Sequence, residues 1–318
     1  MHKLIDIKQK EGHIHIYADL AAELRELSSD ESGIEEETVQ EGNIEIKRIR
    51  ILNDFAAKHI GKKKGTYITL DSHELENRTK EIFEEMTKLI AEEIRSLLNI
   101  SSSSTILVVG LGNRGVTPDS LGPEVVSKVH ITRHIKQYMP EALEGDVPAS
   151  CAIAPGVLGI TGVETMDVVK GVVESVKPDA IIAIDALASR RAARISSTVQ
   201  LCDSGISPGS GVGNTRSELS QESLGIPVIA IGVPMVVYAS TIIWDTISLI
   251  ADENGSEYDE DELKQLVESM IKKQSGDMIV TPKDIDTIVD DMAGIIAGGI
   301  NLALFGEQQS ETLSALLS

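Results

Sequence analysis

Three short, unbroken apolar runs dominate the middle of the chain: Ile106-Leu107-Val108-Val109-Gly110, Ala180-Ile181-Ile182-Ala183-Ile184 and Val228-Ile229-Ala230-Ile231-Gly232. Each is bounded by turn residues. Runs of this kind are buried on both faces and mark strands of a parallel sheet. Helical periodicity fills the intervals. Ile82, Phe83, Met86, Leu89, Ile90 and Ile94 recur at helix spacing within 74–98, and amphipathic patterns follow over 120–137 and 162–176. Strands alternating with helices predict an α/β fold with right-handed crossovers. Further helices are expected near 239–250, 259–273 and 284–304, with the acidic segment Asp252–Asp261 as a surface connection.

Upstream the pattern changes. Residues 20–27 read as a short helix, and the acidic stretch over 28–43 as a mobile loop or an exposed hairpin. Ile44, Ile46, Ile49 and Ile51 alternate with charged residues, which predicts a strand with one slip in register. Gly65–Leu70 reads as another strand. The expected fold is therefore α/β, a mostly parallel central sheet flanked by helices with an appended N-terminal antiparallel β layer. Residues 20–318 form one domain on this reading: the layer over 20–80, a core over 81–250 and a helical extension over 251–318.

Composition narrows the function classes. The chain has 318 residues and is 42% hydrophobic but only 3% aromatic, so its core is built from Ile, Val, Leu, Ala and Met. The net charge of −21 repels nucleic-acid phosphates and anionic membrane surfaces. It suits a basic or neutral protein partner, or solubility alone. Cys151 and Cys202 are far apart and show no zinc spacing, which fits a reducing cytoplasm. The N-terminus has no export-type apolar region. The richest apolar run, 226–244, is broken by Pro227 and Pro234 and reads as a strand, a loop and a helix start, so no membrane span is expected.

Gly110-Leu111-Gly112-Asn113-Arg114-Gly115 matches the GxGxxG dinucleotide fingerprint, but its context does not. The helix should begin inside the glycines so that its N-terminus faces a pyrophosphate. Pro118 and Pro123 instead make a loop, and no acidic residue follows over 130–140 to hold a ribose. The glycines then serve to turn the backbone sharply beside Asp119. Asp185 ends the second apolar run. Ligands of open α/β sheets bind outside the carboxyl ends of the strands. Two carboxylates delivered there can share a proton, one acting as base on water while the other protonates or polarises a carbonyl. Asp119 also fits a helix N-cap and Asp185 a turn cap. Arg190, Arg191 and Arg194 are candidate partners of these acids or of a substrate carboxylate. The Gly/Ser-rich stretch from Cys202 to Arg216 is a candidate substrate wall or source of oxyanion N–H groups, through Ser207, Gly209 and Gly211, as are Gly112 and Asn113. No GxSxG nucleophile elbow is present. His130 and His134 are spaced i, i+4 without an HExxH acid, so no metal is expected, and no cofactor.

At these residues the chain resembles the spore germination protease family. The resemblance lies in Val109–Pro123, Pro155–Thr165, Ile184–Arg191 and Ser207–Asn214, and extends to Ile51–Asn53, Gly65–Leu70 and Ile231–Val236. It implies an endopeptidase that degrades small acid-soluble DNA-binding spore proteins during germination, in the cytoplasm of the spore core. It implies a zymogen, a homotetramer and self-removal of a propeptide, without direct nucleic-acid or membrane contact. It also implies an aspartic-type mechanism on Asp119 and Asp185 and a core related to hydrogenase-maturation endopeptidases. Family cleavage between an acidic residue and a large apolar one followed by Ala matches Asp19-Leu20-Ala21, making residues 1–19 the propeptide.

Overall fold

The computed structural model describes residues 18–26, 28, 32–143, 145–207, 218–253 and 278–317. After a short helix, α1 (Ala21–Glu26), the acidic stretch forms an exposed strand, β1 (Ile34–Glu41), hairpinned to β2 (Ile44–Ile51). The register of β2 is continuous with both neighbours, so the irregular isoleucine spacing is not a bulge. Ile44 and Ile46 pack into the largest core cluster, while Ile49 and Ile51 join a second cluster with α1. One strand thus buries opposite faces at its two ends.

Helix α2 (Asp54–Ile60) is closed by two signals: Asn53 accepts from the Ala56 N–H at 2.9 Å, and Gly61 ends it in the left-handed conformation. β3 (Gly65–Asp71) leads to α3 (Lys80–Leu97), whose Ile82, Met86, Leu89, Ile90 and Ile94 are buried. The alternating core follows: β4 (Thr105–Gly110), α4 (Leu121–Lys128), α5 (Arg133–Tyr138), β5 (Ala149–Ile153), α6 (Leu158–Thr161), α7 (Thr165–Val176) and β6 (Ala180–Ser189). His130 lies in the turn between α4 and α5, so it does not share a helix with His134. Next come β7 (Thr198–Cys202), α8 (Gln221–Leu224), β8 (Val228–Tyr238), α9 (Ala239–Glu253), β9 (Ile279–Val280) and α10 (Ile285–Leu317). The helix expected near 259–273 lies outside the described residues.

The strands form one sheet in the order β1-β2-β3-β7-β8-β6-β4-β5, with β9 pairing β8. This corrects the expectation of a mostly parallel sheet. Only the β4–β5, β4–β6 and β6–β8 pairs are parallel, and the other five described pairings are antiparallel. The three unbroken apolar runs are parallel to one another as expected; the antiparallel pairings come from β1, β2, β3, β7 and β9, which lack such runs. The N-terminal strands are antiparallel as expected, but they extend the central sheet edge to edge through β3 and β7.

Alternate residues of each strand serve opposite faces. Ile182, Ile184, Val199, Leu201 and Ile231 pack toward α3, α4 and α10. The other face carries two smaller clusters. Cys202 and Ala230 sit with α1, and Leu107, Val109, Ile181 and Ala183 sit with Val169 of α7. The segment Ile285–Ala315 is long and apolar enough to cross a membrane, yet 72% of its most apolar window is buried, which is how a core helix behaves.

Candidate active site

The site occupies the second face, where the two smaller clusters leave the sheet to polar residues. Asp185 is 3% exposed and stands within β6 opposite Gly232 of β8; the strand runs on to Ser189, so Asp185 lies inside its strand and not at the strand end or turn cap that the apolar run suggests. Gly232 in turn stands opposite Gln200 of β7, and Gln200 opposite Thr69 of β3. Residues in one such row project to the same face. Asp185 and Gln200 are two strand spacings apart, about 10 Å between backbones, with Gly232 between them and the Leu187 side chain packed over that glycine.

Asp119 reaches the same end of the sheet by a different route. The Leu111 N–H donates to the Ile184 carbonyl at 2.8 Å, so the glycine loop leaves β4 directly beside Asp185. The loop closes through the Asn113 N–H, which donates to the Asp119 carbonyl at 2.9 Å, and Asn113 Oδ1 accepts from the Gly115 N–H. Gly112 has φ +109°, and a Cβ there would collide with the Asp119 carbonyl; one at Gly110 would collide with that of Gly122. The glycines therefore let the 3-10 turn Thr117–Asp119 lie against the end of the sheet, where it packs on β6, β8 and α10. Asp119 is half-buried there and precedes α4, which begins only at Leu121.

The N-terminal segment lies on this face as well. The Asp19 N–H donates to the Ala188 carbonyl, and the Ala188 N–H donates back to Asp19 Oδ2, both at 2.9 Å. Ala188 follows a register shift between β6 and β8. The Ala21 N–H donates to Gln200 Oε1 at 2.7 Å, and Gln200 Nε2 donates to the Asp19 carbonyl at 3.4 Å. Leu20, Ala21 and Ala22 are fully buried. Glu23 is buried too, accepting from the Arg190 N–H at 2.7 Å and the Arg191 N–H at 2.9 Å. Burial pushes the Glu23 carboxyl up, and the two N–H donors and Arg194 oppose that shift.

The arginines serve this anchor. Arg194 pairs with Glu23, Glu26 and Asp71, and Arg191 with Glu26. β7 runs against β6, so Ser207 leaves the sheet toward the amino-terminal ends of the parallel strands, away from Asp185. Gly209 and Gly211 lie outside the described residues. Gln200, Ala188 and Glu23 were not evident as site residues in the sequence. Gln200 left one signal, a single amide inside the otherwise apolar and β-branched strand Thr198-Val199-Gln200-Leu201-Cys202.

A family model described as germination protease matches residues 14–262 and 256–316. A germination protease of Clostridium acetobutylicum is 44% identical over 310 residues, covering 91% of this chain and 95% of that protein. One from Clostridium perfringens is 43% identical over 96% of this chain and 99% of its own length. One from Bacillus subtilis is 38% identical over 93% of this chain and 95% of its own length. With matches of this extent, the chain belongs to the germination protease family.

Proposed function

We propose that this germination endopeptidase is an aspartic-type, self-processing enzyme in which Asp119 and Asp185 activate water, and that the bond it cuts in its own chain is Asp19–Leu20. The observation that carries the reading is the clamp on residues 19–23. A sequence matching the family's cleavage pattern is held at the start of α1 on the face that bears Asp185. One carboxylate takes a proton from water as it attacks the Asp19 carbonyl, and the other, protonated, supplies one to the leaving nitrogen. Gly112 and Asn113 hold the turn that carries Asp119. Residues 1–19 are the propeptide of a zymogen, and the assembled enzyme is a homotetramer of the spore core. Its substrates are small acid-soluble spore proteins, taken as extended chains without contact to DNA or membrane. The parallel group β4, β6 and β8, with acids at its carboxyl end, is the part related to hydrogenase-maturation endopeptidases.

The purified full chain tests the reading directly. Mass spectrometry of wild type is expected to show loss of residues 1–19, and Asp119→Asn and Asp185→Asn each to remain at full mass with an unchanged thermal midpoint. Self-cleavage at wild-type rate in either variant refutes the dyad.

A further inference from the structure

Gln200 is a buried amide with both ends committed to one peptide. It is 6% exposed, and its partners are the main chain of residues 179 and 181 positions away. Its orientation is fixed, because the Ala21 N–H is a donor and must face the amide oxygen. Nε2 therefore points at the Asp19 carbonyl. The strand that carries it has no other polar side chain at its centre, and burying an amide in a strand is unfavourable unless the amide is bonded.

We propose that Gln200 is a catalytic contact of this peptidase: it binds the carbonyl oxygen of the residue before the cut bond and the N–H of the second residue after it. This rests on the reading that Asp19–Leu20 is the bond cut. When water attacks the Asp19 carbonyl carbon, a C–O bond forms and the carbonyl π pair moves onto oxygen. The proton lost by water goes to a carboxylate. When the C–N bond breaks, its electron pair stays on the Leu20 nitrogen, which takes a proton from a carboxyl group. The charge on the carbonyl oxygen thus builds against Gln200 Nε2–H. At 3.4 Å the ground-state contact is long, and it shortens as the oxygen becomes negative and tetrahedral. Stabilisation that grows toward the transition state is what accelerates the step. A neutral amide adds no charge to the row in which Asp185 stands. Both contacts are to main chain, so Gln200 does not read side chains. Side-chain choice at the residue before the cut lies instead with the Ala188 N–H, which holds the Asp19 carboxylate.

Two substitutions separate catalysis from anchoring. Gln200→Glu keeps an acceptor for the Ala21 N–H but puts an anionic oxygen where the donor was, and Gln200→Met removes both functions at similar shape. First-order self-cleavage of the full chain is followed by mass, and docking of 20–26 by hydrogen exchange. The expected result for Q200E is a loss of about 100-fold or more in rate with wild-type exchange protection. Q200M is expected to lose rate and protection together. Q200E cleaving within threefold of wild type overturns the proposal, as does loss of rate only in step with loss of protection. If Q200E does not fold, a Q200M chain that cleaves within threefold of wild type gives the same refutation. Asp119→Asn and Asp185→Asn run alongside distinguish the two ideas: active aspartate variants with a dead Q200E sink the dyad and leave Gln200 standing. Cleavage at a bond other than Asp19–Leu20 sinks the placement of both.

Discussion

Replacing Glu23 by Ala is expected to release the N-terminal segment while leaving the rest of the fold in place. The Glu23 carboxylate accepts two main-chain N–H bonds, at 2.7 and 2.9 Å, and stands 3.5 Å from the Arg194 guanidinium. Truncation leaves two N–H groups without their acceptor. A bond to a charged group contributes about 1.5–3 kcal/mol. The gain is partly offset in the native chain, because burial of Glu23 opposes its ionisation, and Arg194 retains Asp71 and Glu26. The net loss of docking free energy is therefore about 2–4 kcal/mol, or roughly 30- to 900-fold faster opening. Hydrogen exchange of residues 20–26 reads this directly. The thermal midpoint should move little, because the largest core cluster, between the sheet and α3, α4 and α10, does not include α1. Self-cleavage should slow, since the Asp19–Leu20 bond is presented only while the segment is docked. Unchanged exchange over 20–26 in E23A would refute the claim that this carboxylate is the anchor.

The same carboxyl makes docking depend on pH. Its pKa is raised in the docked state, so that state binds more protons than the open one; docking is strongest below the open-state value, about 4.3, and weakens as pH rises toward the raised value. Exchange corrected for its intrinsic rate should show faster opening of 20–26 at neutral pH than at pH about 5, and E23Q should flatten the slope; tighter docking with rising pH contradicts the assignment. Gly112→Ala should cost about 1–3 kcal/mol and most of the self-cleavage, because φ +109° is strained for Ala and its Cβ meets the Asp119 carbonyl; a thermal melt and the mass assay check both. Two glycines of α10 should respond with opposite signs. At Gly299 a Cβ would come within 2.5 Å of Ile90 Cγ2, so G299A is expected to destabilise by about 1–3 kcal/mol. At Gly294 nothing lies within 4 Å, so G294A should stabilise by about 0.5–1 kcal/mol in the same denaturant titration.

The legible parts of the fold are those whose residues carry their own signal. Buried strands announced β4, β6 and the first half of β8, and the i, i+3, i+4 spacing announced α3. The glycine loop was legible through its prolines, which excluded a dinucleotide helix and left Asp119 as the residue the glycines frame. β8 was cut short in the reading because Pro234 looked like a strand end. The strand runs through it to Tyr238, and the missing N–H is tolerated where the pairing shifts, with Leu187 opposite Pro234 and Ala188 opposite Val236. The helix expected over 120–137 divides at His130, whose N–H donates to Asn301 Oδ1 of α10, a partner 171 residues away. The propeptide junction is marked in the sequence by its cleavage pattern alone, and nothing there shows that Leu20 to Ala22 are fully buried. Their burial depends on Gln200, Glu23 and the end of β6, and no local pattern within residues 18–26 encodes contacts of that range.

The mixed sheet has a functional consequence. In a wholly parallel sheet the strand beyond β8 would bring its own carboxyl end, and its loop, to the Asp185 edge. β7 runs the other way, so its loop departs at the far end and its middle residue stands in the Asp185 row. The antiparallel partner thus contributes a side chain from a rigid strand where a parallel one would contribute a loop. Gly232 between them leaves room for the Leu187 side chain of β6, which packs over it. Rigid placement matters because a donor aimed at a developing charge is effective only if it is held in position before the reaction. The reversal that the apolar pattern did not reveal is therefore the feature that sets Gln200 in the Asp185 row, where it holds the main chain of residues 19 and 21.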